Sequence, residues 1–236
     1  MADTATLGFL AGTGPLGQGL ALRLALAGHQ VLIGSRNRDK AEAVVAELLD
    51  GRDLPAPLTI EGVTNAEAAE RGEIVYLMFP WEGQAASLPP LAGVIGDKVA
   101  VSVISPLAFD AAGPFVPPVP DGSAAQEAAR LLPAARLVSA FHDVAAAKLK
   151  AVDKPVDTDV LVCGDDPQAK AVVIGHADAI EGMRGVDAGA LRLSAQLEGL
   201  TAVLVSVNQR YRVRGGVRVS GLSDAKRAAA HQAATA

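Results

Sequence analysis

The sequence predicts an α/β fold: a Rossmann-type dinucleotide-binding parallel sheet with a smaller C-terminal α/β part. Three observations predict it. Short apolar strand patterns alternate with helical ones from the N-terminus onward, as in a parallel sheet covered on both faces. Residues 12–17 read "GTGPLG", a GxGxxG turn that follows the first strand and opens the first helix. A second strand pattern then arrives at the distance a βαβ unit requires.

The elements follow in order. Residues 6–11, "TLGFLA", read as a short buried strand. Residues 15–27 read as a helix, with Leu16, Leu20, Leu24 and Ala27 on one face and Gly28 as its stop. "QVLIGS" at 30–35 is the second strand, and Asp39 to Leu49 the second helix, with Ala41, Val44, Val45 and Leu48 at helical spacing. "IVYLMFP" at 74–80 and "KVAVSVI" at 98–104 are further strands. Residues 105–122 carry five prolines, which forbid a regular helix or a central strand. An irregular stretch of that length is either a loop over an active site or a linker. A helix at 123–132 and strands at 136–141 and 159–164 come next. Asp166 can cap a further helix with Pro167 at its first position. A long helix spans 190–210, and the tail from Ser223 has little to pack and is expected to fray. The expected organisation is a nucleotide-binding domain at 1–140, a smaller cleft-forming part at 141–222, and the tail at 223–236.

Composition narrows the function. The formal net charge of -5 argues against general nucleic-acid or membrane-surface binding. One cysteine, Cys163, leaves no intramolecular disulfide and suggests a reducing compartment. The N-terminus lacks the basic and apolar runs of a signal peptide, and a soluble, cytoplasmic protein is expected. His29, His142, His176 and His231 stand apart, so no metal site is expected. No GxSxG turn or Walker-type loop occurs. Asp165 and Asp166 read as a helix start, not an acid–base pair.

In the glycine turn, Gly12 makes the bend, Gly14 lets the backbone approach a pyrophosphate, and Gly17 lets the helix pack close. The helix opening at Pro15 and Leu16 adds free amides and a positive dipole. An NAD site ends its second strand with Asp or Glu, which bonds the ribose hydroxyls. This chain has Ser35 and Arg36 there, with Lys40 behind. A guanidinium grips a 2'-phosphate that a carboxylate would repel, so NADP(H) is the expected ligand. Thr13 is close enough in the turn to add a hydroxyl. Arg38 reads as a solvated loop residue.

The ordered segments "GTGPLGQGLALRLA", "GSRNRDKAEA", "FPWEG", "VSAFHDVAA", "VCGDD", "VDAGAL" and "NQRYRVRGGVRVSGL" resemble the NADPH-dependent reductases of coenzyme F-420, an 8-hydroxy-5-deazaflavin. The resemblance spans about residues 6–222. It implies hydride transfer between the nicotinamide and the deazaflavin, stacked in a cleft between the two parts of the fold. It assigns the phosphate grip to Thr13, Ser35, Arg36 and Lys40, and the nicotinamide wall to Met78, Pro80 and Trp81. Ala85, Leu107 and Ala146 would line the same site, and His142 would orient the deazaflavin. A homodimer is implied, with the 190–210 helix as one candidate contact and burial within the chain as the other account of that helix. Arg210, Arg212, Arg214 and Arg218 form either a solvated basic face or a patch for the coenzyme's anionic tail. The chain departs from the family at Gly83, where some members have His, and through 105–122. Two alternatives stand beside this reading. One is an NADP-dependent reductase of a small imine or carbonyl compound, with His142 as proton donor. The other is a non-catalytic NADPH sensor.

Overall fold

The computed structural model describes residues 4–52, 54 and 58–235. Strand β1 (Thr6–Leu10), helix α1 (Pro15–Leu26), β2 (Gln30–Ser35) and α2 (Arg38–Leu49) form the opening βαβα unit. Next come β3 (Ile60–Thr64), α3 (Asn65–Arg71), β4 (Ile74–Leu77), α4 (Trp81–Ser87), α5 (Ala92–Ile95) and β5 (Val99–Ser102). The proline-rich stretch holds a small hairpin, β6 (Ala108–Asp110) and β7 (Gly113–Phe115). Then follow α6 (Ala124–Leu131), β8 (Arg136–Ser139), α7 (Ala146–Lys150), β9 (Thr158–Gly164), α8 (Pro167–Asp178) and β10 (Met183–Gly189). Helices α9 (Ser194–Tyr211) and α10 (Asp224–Thr235) close the chain.

One eight-stranded sheet runs in the order β10-β9-β8-β5-β4-β1-β2-β3. All neighbours pair in parallel except β8 and β9, where Val138 faces Gly164 and Ser139 faces Cys163 in antiparallel register. The expected division after residue 140 falls at the end of β8, where strand direction reverses. The strand order changes direction at β1, which lies between β2 and β4. Open parallel sheets bind ligands outside the carboxyl ends of the strands at such a point.

Alternation along each strand sends side chains to two cores. Leu7, Phe9, Val31, Ile33, Tyr76 and Val101 pack beneath α1 and α8. Leu10, Leu32, Val75, Leu77 and Ala100 pack beneath α3, α5 and α6. Arg23 ties α1 to the second half of the chain. It is 5% exposed, and it donates to the carbonyls of Leu149, Ala151 and Lys154 at 2.9, 2.6 and 2.7 Å, closing the end of α7. Gly19 makes that approach possible, since a Cβ there would meet the Leu149 Cβ at 2.6 Å.

Several elements differ from expectation for identifiable reasons. β3 and α3 were hidden because "IEGVT" mixes polar and small residues. Gly62 is needed there, because a Cβ would meet the Glu42 amide nitrogen at 2.4 Å. β10 carries Arg184 and Asp187 and lacks an apolar run, yet pairs with β9 along its length. The hairpin in 105–122 is set by its turn, where Asp110 Oδ1 accepts from the amides of Ala112 and Gly113 at 2.8 and 3.1 Å. The tail expected to fray forms α10, anchored by Arg227, which donates to Asp178 at 2.6 Å and to the Gly185 carbonyl at 3.0 Å.

Candidate functional site

The glycine turn sits at the switch point, and its three glycines have different physical reasons. A Cβ on Gly17 would meet the Gly12 carbonyl oxygen at 2.2 Å, and one on Gly12 would meet the Phe9 Cβ at 2.7 Å. Those two are required by packing. Gly14 has extended backbone, φ -74°, and a Cβ there would meet nothing within 4 Å. Open space over Gly14 suits a pyrophosphate on the α1 amides. The turn is held in shape by groups distant in sequence. Ala11, at φ 59°, donates its amide to Asn65 Oδ1 at 2.8 Å, and the Gly12 amide reaches the Gly34 carbonyl at 3.0 Å. A left-handed alanine costs about 1–3 kcal/mol, so the surroundings must over-determine it.

A cavity of about 460 Å³ runs from this turn over the ends of β2 and β4. Thr13, Gly14, Ser35, Arg36 and Lys40 line one end, with Met78 and Pro80 on the other side. Asn37 caps α2 by accepting the Lys40 amide at 3.1 Å, which turns the positive end of that helix toward the same place. Ser35 Oγ accepts the Asn37 amide at 3.2 Å, leaving its hydroxyl proton to donate. Arg38 turns away, pairing with Glu67 and Glu42. Among the described residues, Arg36 and Lys40 make no ion pair. A pair of cations at a helix start, both facing a cavity, fits a phosphate dianion.

A second cavity, about 200 Å³, continues from Gly14, Pro15, Leu16 and Gly17 to Met78, Pro80, Trp81 and Ser105. Its walls are mostly apolar. The indole Nε1–H of Trp81 donates to Glu127 Oε2 at 3.1 Å.

Next to it lies the His142 cluster. The preceding Phe141 is left-handed at φ 64°, an outlier for so large a side chain. His142 is 8% exposed. Its Nε2 meets Ser139 Oγ at 2.7 Å, and its Nδ1 lies 3.4 Å from Ser105 Oγ. Ser105 in turn meets Thr201 Oγ1 at 2.9 Å. Burial pushes the imidazole down to about 4, so the ring is neutral at neutral pH. His142, Asp143, Ala145 and Thr201 border a further cavity of about 100 Å³ beneath α9.

The structure therefore brings together the turn, Ser35, Arg36, Lys40, Met78, Pro80 and Trp81, with His142 bonded to Ser105 in the wall. Ala85, Leu107 and Ala146 do not line the two cavities: Ala85 lies exposed on α4, Leu107 is half-buried before β6, and the Ala146 carbonyl packs beside Gly19. Of the arginine series, Arg218 is withdrawn to Asp157 and to the buried Asp159. Sequence reasoning missed Asn65, Ser105, Glu127 and Thr201. Only Asn65 left a local signal, opening a helix behind the capping Thr64. Among the described residues, no group of three or more His, Cys, Asp or Glu could hold a metal ion, and no helix is long and apolar enough to cross a membrane.

Comparison with known proteins agrees with this geometry. Residues 6–106 match the family model described as NADP oxidoreductase, coenzyme F-420-dependent. The F-420-dependent NADP reductase of Methanocaldococcus jannaschii is 39% identical over 223 residues, covering 92% of this chain and 98% of that protein. The enzyme of the same name from Methanothermobacter marburgensis is 37% identical over 220 residues, covering 91% and 98%. A crystal structure from Arthrobacter sp. FB24, provisionally assigned as an F-420-dependent NADP reductase, superimposes with a TM-score of 0.76 at 23% identity, over 93% of this chain and 100% of that one. The last likeness concerns the fold alone. The two archaeal relatives extend over nearly the whole chain, and it belongs to their family, the F-420-dependent NADP reductases.

Proposed function

We propose that this chain transfers hydride between NADP(H) and the deazaflavin coenzyme F-420, reversibly, as an 8-hydroxy-5-deazaflavin:NADP+ oxidoreductase. The observation that carries the reading is the continuous groove from a cationic end to a mostly apolar end where Trp81 and His142 already have protein partners. Arg36, Lys40, Ser35 and Thr13 bind the 2'-phosphate; the turn and the α1 amides take the pyrophosphate. Residues 1–140 hold NADP(H), and residues 141–222 form the far side of the cleft. When bound, the nicotinamide supplies or accepts the hydride. Trp81, Met78 and Pro80 then bound the ring, and His142 fixes the wall against which the deazaflavin stacks.

Transfer between two stacked carriers asks the protein chiefly for geometry. A carbonyl or imine substrate would ask for an acid at the reduced centre. His142 suits the first task better, because both nitrogens have hydroxyl partners and burial holds the ring neutral. Arg210, Arg212 and Arg214, all exposed, are the cations we assign to the coenzyme's anionic tail. The exposed stripe of Val203, Val207 and Tyr211 on α9, beside Pro114, is our candidate homodimer contact, and the cytoplasm our expected location.

The test is spectroscopic. NADPH and oxidised deazaflavin are mixed with the protein and the visible absorbance of the deazaflavin is followed. Bleaching is expected, and its absence at every pH tried overturns the reading. His142→Ala should impair transfer while leaving NADPH affinity nearly unchanged.

A further inference from the structure

We infer that Glu127 is the positioning residue for Trp81, fixing the indole in the wall of the ring-end cavity. The inference rests on the hydride-transfer reading of that cleft. Trp81 opens α4 directly after Pro80, and is half-buried. Its partly buried side packs on the core cluster beneath α3, α5 and α6, which leaves the polar edge of the ring to be fixed by other groups. A buried or half-buried indole N–H needs a partner, and that partner sets the tilt of the ring on its apolar support. Glu127 Oε2 is that partner, at 3.1 Å.

The same oxygen accepts from Gln84 Nε2 at 2.6 Å, so one carboxylate grips α4 at two points a turn apart. Gln84 is fully buried, and its Nε2 also reaches the Ala124 carbonyl at 3.0 Å. Glu127 is in turn held by its helix. The first turn of α6 donates its Ala124 and Ala125 amides to Glu198 of α9 at 2.8 and 3.0 Å. One turn further along α9, Thr201 bonds Ser105, which lines the same cavity as Trp81. Both walls of the ring site thus hang from α6 and α9, and Glu127 is the link to the tryptophan wall.

A purely structural Glu127 would serve Gln84 and the α4–α6 contact, with the indole bond incidental. Because Trp81 is the only tryptophan, its emission reports on its own surroundings. Emission maximum, acrylamide quenching, NADPH affinity and kcat for deazaflavin reduction are compared in wild type, Glu127→Leu, Glu127→Gln, Trp81→Phe and the double variant. Glu127→Leu is expected to shift the emission, increase quenching and lower kcat roughly 10-fold, the scale of a small misplacement at a reacting centre, with NADPH affinity held. Glu127→Gln keeps an acceptor oxygen and should restore emission and most of kcat. On the Trp81→Phe background, Glu127→Leu should cost nothing further. Unchanged emission and quenching in Glu127→Leu overturns the inference, as does an equal kcat loss on both backgrounds. Should Glu127→Leu fail to fold, Glu127→Gln carries the same cycle: its smaller loss must vanish on the Trp81→Phe background. A wild type that never bleaches the deazaflavin defeats the functional reading instead, and the emission and quenching arms still decide what holds Trp81.

Discussion

The two ends of the groove are built on opposite principles. At the phosphate end, polar groups are left open: Arg36 and Lys40 are exposed and face the cavity, and Gly14 leaves space above the turn. At the ring end, the polar groups of the two key side chains are consumed. Both nitrogens of His142 and the indole N–H of Trp81 already meet protein partners. Open charges recognise an anion, and spent ones hold a shape. A carrier with a charged tail and a flat reactive ring needs both in one cleft.

The contrast breaks most visibly at Arg36. Arg36→Ala removes the charge-assisted bond we propose to the 2'-phosphate, a contact of a kind worth about 1.5–3 kcal/mol. NADPH should bind roughly 10- to 100-fold more weakly, with NADH affinity little changed. Calorimetry with the two nucleotides decides it; equal weakening of both would move the phosphate grip elsewhere.

The glycines sharpen the comparison within the phosphate end. Gly17→Ala forces a methyl against the Gly12 carbonyl and should destabilise the fold by about 1–3 kcal/mol. Gly14→Ala has ordinary backbone and empty space, so its unfolding midpoint should match wild type while NADPH affinity falls. A Gly14→Ala variant that loses stability but not affinity would show that its open space is not a ligand site.

The same contrast explains what was legible in the sequence. The phosphate end is local: the turn and Ser35, Arg36 and Lys40 lie on one βαβ unit, so charge and spacing were enough to group residues that line one cavity. The ring end is assembled from β4, β5, β8, α6 and α9. Nothing near Trp81 in the chain announces Glu127, and nothing near His142 announces Ser105 or Thr201. His142 and Trp81 were therefore legible only through resemblance, and their partners not at all. The strands of the main sheet that were missed, β3 and β10, are those whose burial comes from neighbours rather than from an apolar run.

The smallest expected effect lies in pH dependence, and it separates the buried histidines from the buried carboxyls. Burial lowers His142 to about 4 and His176 to about 3, from 6.5. His176 is also disfavoured as a cation by the neighbouring His29, and its Nδ1 meets the Tyr76 hydroxyl at 2.7 Å. Below 6.5 the unfolded chain protonates these two and the folded chain does not, so each makes stability rise with pH up to 6.5. Burial acts the other way on acids, raising Asp143 to about 6 and Glu198 to about 7. Asp143 has one oxygen without a partner, and Glu198 is partly relieved by the Ala125 and Ala124 amides. The folded chain holds those protons while the unfolded one releases them, so each makes stability fall as pH rises toward its folded value. Between about pH 4.5 and 6 the four contributions nearly cancel, each having a slope of at most about 1.4 kcal/mol per pH unit. His176→Gln removes one rising contribution and should tilt stability downward with pH relative to wild type. Glu198→Gln removes one falling contribution and should tilt it upward. Denaturant unfolding across that window measures both. Because each tilt is a difference from wild type, titrating groups not coupled to the substituted one drop out, and parallel curves for the two variants would refute the assignment of these buried protons.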